Sequence, residues 1–379
     1  MPPFTLKKPR LPGHFYVRVE PPDDAGEEAL IFTSERRQIK IKGHSFREFH
    51  REVLPLLDGR HTLEEIQVAA ADIFAPEDLE QCLVYLAQNS ILQEADADTL
   101  PVGVAQRLEP QLNLFHELGL NAHQAQAQLA AATVTLLGMG SVGASTALAL
   151  AGAQVGTLRC VDALSVTHAD TSLAPLFLPE DVGKPRAEVM RRKIAAMDVP
   201  VAVTSVTQPL QTDAEVTAAV AGSDFVICSA DAGQMGLVYK LNRACLKLRL
   251  PWTSCAVSGL EGVVGPTVYP GETPCYLCYR MRAVACTTNA EAELSYLHFL
   301  DRRKRDDSGV RENHPFAVGV IANLMALEAM KALIEGLQPS ARGRILVIDF
   351  LNVTNKQHLI LRKPRCPACF APDKEAVAD

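Results

Sequence analysis

The chain has 379 residues, 48% of them hydrophobic, which is long for one domain, comfortable for two and enough to bury a sizeable core. A net charge of −7, with Lys and Arg gathered in no long run, offers no field for wrapping nucleic acid and excludes it as the expected partner. No opening segment reads as a signal sequence, and the apolar stretch at residues 144–156 is too short to span a bilayer, so the expectation is a cytoplasmic chain without a membrane partner.

Up to about residue 97, strand-like runs at residues 14–20, 29–33 and 38–42 alternate with turn residues and predict three short antiparallel strands. Helical periodicity follows over residues 45–57, 62–73 and 76–89, the second opened by a capping box of Thr62 and Glu65. These elements predict a small α+β winged-helix domain. The polar, Gln/Ala-rich stretch at residues 96–130 suits a connector. The boundary is placed near residue 105, with one domain over 1–105 and the second over 106–379.

From Thr133 onward strands alternate with helices: 133–137, 156–161, 201–206, 224–228 and 251–257 read as strands of a parallel, doubly wound, Rossmann-like α/β sheet. A helix over 316–336 and late strands at 345–349 and 358–361 close the domain, with antiparallel edge strands.

Gly138-Met139-Gly140-Ser141-Val142-Gly143 follows an apolar strand and opens an Ala-rich helix. Its amides can meet phosphate while the glycines let the backbone approach, so Gly138, Gly140 and Gly143 read as cofactor-binding. Asp162 ends the next strand, where a carboxylate can accept hydrogen bonds from a ribose. These features alone fit an NAD enzyme as well as an ATP enzyme, or a glycine-rich packing turn. Two thiolate pairs, Cys275 with Cys278 and Cys366 with Cys369, have the spacing that closes a tetrahedral site; Zn²⁺ in a structural role is expected, with a redox dithiol as the alternative. The other cysteines read as reduced core thiols. Cys286, between the first cysteine pair and a long charged stretch, is either a nucleophile or an unspecialised thiol, the charged run at residues 301–307 reads as a solvated loop, and His314 as a proton carrier or a helix-start residue.

The glycine loop, Asp162, Val166, Gly183-Lys184-Pro185-Arg186, Cys228-Ser229-Ala230-Asp231 and the paired Cys-x-x-Cys stand in the order seen in the ThiF, MoeB and ubiquitin-activating (E1-like) proteins, and the resemblance covers about residues 111–370. It implies ATP with Mg²⁺ and activation of a carboxylate by adenylation. Carried over by position, Asp162 holds the ribose, the three glycines line the phosphates, Asp231 sits at the metal and α-phosphate, and Lys184 or Arg186 supplies a phosphate cation. Leu173 stands where the family carries an arginine, and no equivalent of its upstream arginine is evident in residues 111–115.

The N-terminal region resembles the leader-recognition domains of enzymes that modify ribosomally made peptides, with Leu56-Leu57-Asp58-Gly59, Arg60 to Glu65 and Gln88 to Leu92 in corresponding places. An exposed strand running from Gln38 to Lys42, beside the helix that begins at Pro76 and reaches Asn89, would form a groove in which an extended peptide adds a strand. That helix carries Glu77, Asp78 and Glu80 and no basic residue, which disfavours a DNA-binding winged helix. The combination resembles maturation proteins for ribosomal peptide natural products. One expectation is ATP-dependent activation and dehydrative cyclisation of a precursor peptide by this chain, in the manner of pantocin-type enzymes. The alternatives are a non-catalytic subunit that presents the leader to a separate azoline cyclodehydratase, and a sulfur-carrier protein adenylyltransferase. A homodimer is expected from the same resemblance.

Overall fold

The computed structural model describes residues 4–95, 100–229, 235–303 and 314–370. The chain divides into two compact units, Met1–Ala127 and Gln128–Asp379. The division falls some twenty residues past the boundary expected near residue 105; the Gln/Ala-rich connector is helical, and its first two helices belong to the first unit.

In the first unit β1 (Pro9–Arg10) pairs with β5 (Gln93–Glu94), and β2 (Tyr16–Glu20), β3 (Glu28–Thr33) and β4 (Gln38–Gly43) form an antiparallel sheet in that order, leaving β4 as an edge. On one face of β3, Leu30 and Phe32 are fully buried with Phe49, Val53, Ile66, Leu79, Leu83 and Leu86 from the helices. The first expected helix is irregular. It starts as α1 (Phe46–Glu48), widens to a π turn over Phe49–Val53 and tightens to a 3₁₀ turn over Leu54–Leu56, since Pro55 has no N–H to continue an α ladder. α2 (Leu63–Ala69) begins at Thr62 with both halves of the capping box formed, and α3 (Pro76–Gln88) begins with Pro at its first position. The guanidinium of Arg37, at the start of β4, donates to the carbonyls of Asn89 and Ser90 at 2.9 and 2.7 Å and so closes the C-terminal end of α3. α4 (Val102–Arg107), α5 (Glu109–Glu117) and α6 (Ala122–Ala131) follow.

The second unit is built on one eight-stranded mixed sheet. β6 (Thr133–Leu137), β7 (Thr157–Val161), β8 (Ala202–Val206), β9 (Phe225–Cys228) and β10 (Trp252–Ser258) are parallel in the order β8-β7-β6-β9-β10, and β11 (Glu261–Val264), β12 (Arg344–Asp349) and β13 (Thr354–Leu359) extend it antiparallel beyond β10. The five expected parallel strands are present. β11 was not expected from sequence: it is turned back on β10 by the two-residue loop Gly259-Leu260, with Gly259 at φ +58°, where a glycine at the first central position suits a type II′ hairpin. β13 begins four residues before the expected position.

The crossovers are α7 (Ser141–Gly152), α8 (His168–Leu173), α9 (Arg186–Ala195), α10 (Asp213–Val220) and α11 (Met235–Leu248), followed by α12 (Tyr276–Ala285), α13 (Ala290–Arg303) and α14 (Pro315–Leu333). α14 is long and apolar enough to cross a membrane by length and composition. Here it packs on α7 and on β10 and β11, with Ala317, Val318, Ile321, Ala322 and Met325 buried, as a core helix of the sheet domain. Of the charged run at residues 301–307, Asp301 to Arg303 form the last turn of α13 rather than a loop, and the rest lies outside the described residues.

Candidate functional site

Strand register assembles the site. Leu137 at the end of β6 stands opposite Val161 of β7 on one side and Cys228 of β9 on the other, so the residues that follow, Gly138, Asp162 and Ser229, emerge together at one edge of the sheet. Strand order reverses about β6, and that is where open α/β sheets bind ligands. Gly138 takes φ +95°, a conformation that favours glycine, and its carbonyl accepts from Ser229 Oγ at 2.9 Å. A Cβ on Gly143 would lie 1.9 Å from the Gly138 carbonyl oxygen and 2.4 Å from Ser229 Oγ, so only glycine lets α7 start this close to the loop. Gly140 is the N-cap of α7 and offers no side-chain oxygen to its first amides. Those amides, at the positive end of the helix, form a cradle suited to phosphate.

Asp162 is buried, and its two oxygens are aimed by the chain: Oδ2 accepts from the Met139 amide at 2.6 Å and Oδ1 from the Leu164 amide at 2.8 Å. The ribose candidate therefore faces the glycine loop. Arg186 returns to it because residues 164–166 and 183–186 pair: Val166 donates to the Lys184 carbonyl and Arg186 to the Leu164 carbonyl. Its guanidinium lies 3.7 Å from Asp162 Oδ2 and grips Asp170 with Nε at 3.0 Å and Nη2 at 2.8 and 3.0 Å. Asp170 was not singled out from sequence. Its signal was the Thr167-x-x-Asp170 capping box of α8, in which its Oδ2 also accepts from the Thr167 amide and hydroxyl. Lys184, by contrast, is exposed on the turn. The structure thus joins Gly138, Gly140, Gly143, Asp162 and Arg186, while Asp231, two residues beyond Ser229, lies outside the described residues.

The four sulfurs of Cys275, Cys278, Cys366 and Cys369 lie within 4.8 Å of one another, with separations of 3.9, 3.8 and 3.6 Å for 275–278, 275–366 and 278–369. A tetrahedral zinc with Zn–S bonds of about 2.3 Å requires S–S edges of about 3.8 Å, so the donor set fits such an ion. Burial pushes the Cys275 thiol up to about 11; at Cys366 burial also raises it, but hydrogen bonds from the Ala368 and Cys369 amides and from the Cys278 and Cys369 side chains together bring it to about 7. Cys82 and Cys160 are pushed up to about 12 by burial, as inert core thiols are. Cys286 is exposed at the C-cap of α12. His314 is the N-cap of α14, its Nδ1 accepting from the Phe316 amide at 3.4 Å.

Similar proteins are found both by sequence and by fold. The molybdopterin-synthase adenylyltransferase of Salmonella typhimurium is 28% identical over 250 residues, 65% of this chain and 90% of the relative. The sulfur carrier protein ThiS adenylyltransferase of Escherichia coli is 28% identical over 264 residues, 70% of this chain and 95% of the relative. Among solved structures, Escherichia coli MccB with ATP superposes with a TM-score of 0.71 at 17% identity, over 96% of this chain and 100% of that one. The microcin C7 biosynthetic enzyme MccB in complex with N-formylated MccA does so with a TM-score of 0.73 at 18% identity and the same coverage. The ThiF family profile matches residues 108–368, well over half of the sequence. By that match the chain belongs to the ThiF family.

Proposed function

We propose that this protein is an ATP-dependent enzyme that activates a carboxylate or carbonyl oxygen of a ribosomally made precursor peptide during maturation of a peptide natural product. The observation that carries this reading is the pairing of a glycine-loop sheet domain with an N-terminal unit whose β4 is an open edge. The adenylyltransferase relatives match 65–70% of the chain, whereas the fold likeness to MccB, a microcin biosynthetic enzyme, extends over 96% of it.

In this reading the first amides of α7 and the glycines of the loop receive the phosphates of ATP, and Asp162 accepts from the ribose hydroxyls. Asp231 would hold Mg²⁺ as counter-charge, and attack of the peptide oxygen on a phosphorus of ATP would form the new P–O bond as a bridging P–O bond breaks and pyrophosphate or ADP leaves. The protein's own residues contribute position and field: Met139 and Leu164 fix the Asp162 carboxylate, and Lys184, exposed on its turn, is the cation able to swing toward phosphate. Zinc in the four-thiolate site ties residues 366–369 to the start of α12 and takes no part in the chemistry. The leader peptide adds a strand to β4 beside α3. A cytoplasmic homodimer belongs to the same reading.

Adenylation of a sulfur-carrier protein is the second reading, favoured by the sequence relatives. Delivery of the leader to a separate cyclodehydratase is the third. One assay separates them: ATP consumption by the wild type and by Asp231→Ala, alone, with a candidate precursor peptide, and with a small carrier ending in Gly-Gly. Peptide-stimulated turnover lost in the variant is the expected result. Leader binding without turnover assigns delivery, and stimulation by the carrier alone assigns the adenylyltransferase role.

A further inference from the structure

We infer that Asp170 is a positioning residue that sets the nucleotide preference of the site: it holds Arg186 behind Asp162, on the ribose side, and keeps it off the phosphates. This rests on the reading of the glycine loop as a nucleotide site.

Three observations carry it. The first is geometry. The Arg186 guanidinium meets Asp170 through Nε and Nη2 at 2.8 to 3.0 Å, while its Nη1 lies 3.7 Å from the Asp162 oxygen that also accepts the Met139 amide. The second is immobility. Asp170 cannot turn away without giving up the amide and hydroxyl of Thr167, at 2.8 and 3.0 Å, and a two-point guanidinium–carboxylate pair resists rotation on both sides. The third is charge and burial. Asp162, Asp170 and Arg186 are 7%, 4% and 6% exposed. Two carboxylates and one guanidinium leave this described set at −1, in surroundings where water screens little.

A nucleoside approaching the loop therefore meets an Asp162 already oriented for hydroxyls. A polyphosphate meets a guanidinium already held by the Asp170 carboxylate, so it must bring Mg²⁺ or draw on Lys184. Asp170→Asn keeps the shape and an oxygen for Thr167, removes one buried negative charge and loosens the hold on Arg186.

The test is calorimetric titration of the full-length wild type and Asp170→Asn with adenosine and with ATP, each with and without Mg²⁺. Asp170→Asn is expected to bind ATP about 10-fold more tightly than the wild type while its adenosine affinity stays within about 2-fold, a split that a purely structural role for Asp170 does not produce. In the wild type, Mg²⁺-free ATP is expected to bind no more than about 3-fold more tightly than adenosine. ATP affinity in a folded Asp170→Asn that equals or falls below the wild-type value overturns the inference. So does a wild type that binds Mg²⁺-free ATP more than about 10-fold more tightly than adenosine, a result readable even if the variant does not fold. If the wild type binds neither adenosine nor ATP, the nucleotide reading of the loop fails as well.

Discussion

Gly143 shows how little room a single position can leave. Its missing Cβ is what allows the first turn of α7 to touch the Gly138 carbonyl, and an added methyl at 1.9 Å must push either the loop or the helix aside. Gly143→Ala is expected to destabilise the second unit by about 3 kcal/mol and to abolish nucleotide binding, both readable in one thermal-shift series with and without ATP. His116 tests a different physics. It is 2% exposed, and burial, followed by the nearby charges of His14 and Arg37, lowers its pKa from 6.5 to about 4, against a smaller raising effect of Glu117. The folded form thus holds the imidazole neutral where the unfolded chain would protonate it. Stability from this residue is complete above about pH 6.5 and is lost as pH falls toward 4, up to about 3 kcal/mol for the 2.5-unit difference. Unfolding of the first unit followed between pH 7 and 4 should show this slope, and His116→Leu should flatten it.

At the scale of elements, the edge of β4 is the feature on which peptide recognition turns. Lys40 and Lys42 reach back to Glu20 and Asp23 at 2.6 and 2.8 Å, and among the described strands β4 pairs only with β3. Amides of successive strand residues point to opposite sides, so of Lys40→Pro and Ile41→Pro one removes an outward amide and the other a rung shared with β3. The first should retain the wild-type melting temperature and lose binding of the precursor peptide by more than about 10-fold; the second should unfold the sheet. Equal peptide affinity in a folded variant of each kind would place the peptide elsewhere.

For the whole molecule, two units with separate cores imply two separable responses. A zinc ion held by the four cysteines would cross-link the start of α12 to residues 366–369, so its removal should act on the second unit alone. Cys369→Ser, or treatment with a strong zinc chelator, is expected to lower the melting of that unit by several kcal/mol, roughly 10 °C, and to leave the first unit's transition in place. Calorimetry together with measured zinc content decides this. Unchanged melting with zinc still bound at full occupancy would contradict the assignment.

Local patterns carried much of this protein in the sequence itself. Five parallel strands, the glycine loop, the capping box at Thr62 and the two Cys-x-x-Cys pairs are legible because each depends on residues close together or on a fixed spacing. Tertiary structure decided what depends on distant segments meeting. The hairpin to β11 hangs on one left-handed glycine, the gathering of Gly138, Asp162 and Ser229 on the register of three strands, and the engagement of Arg186 by Asp170 on a return of the chain that no periodicity announces. Arg186 reads in sequence as a phosphate cation; that the Asp170 carboxylate engages its guanidinium is set by packing.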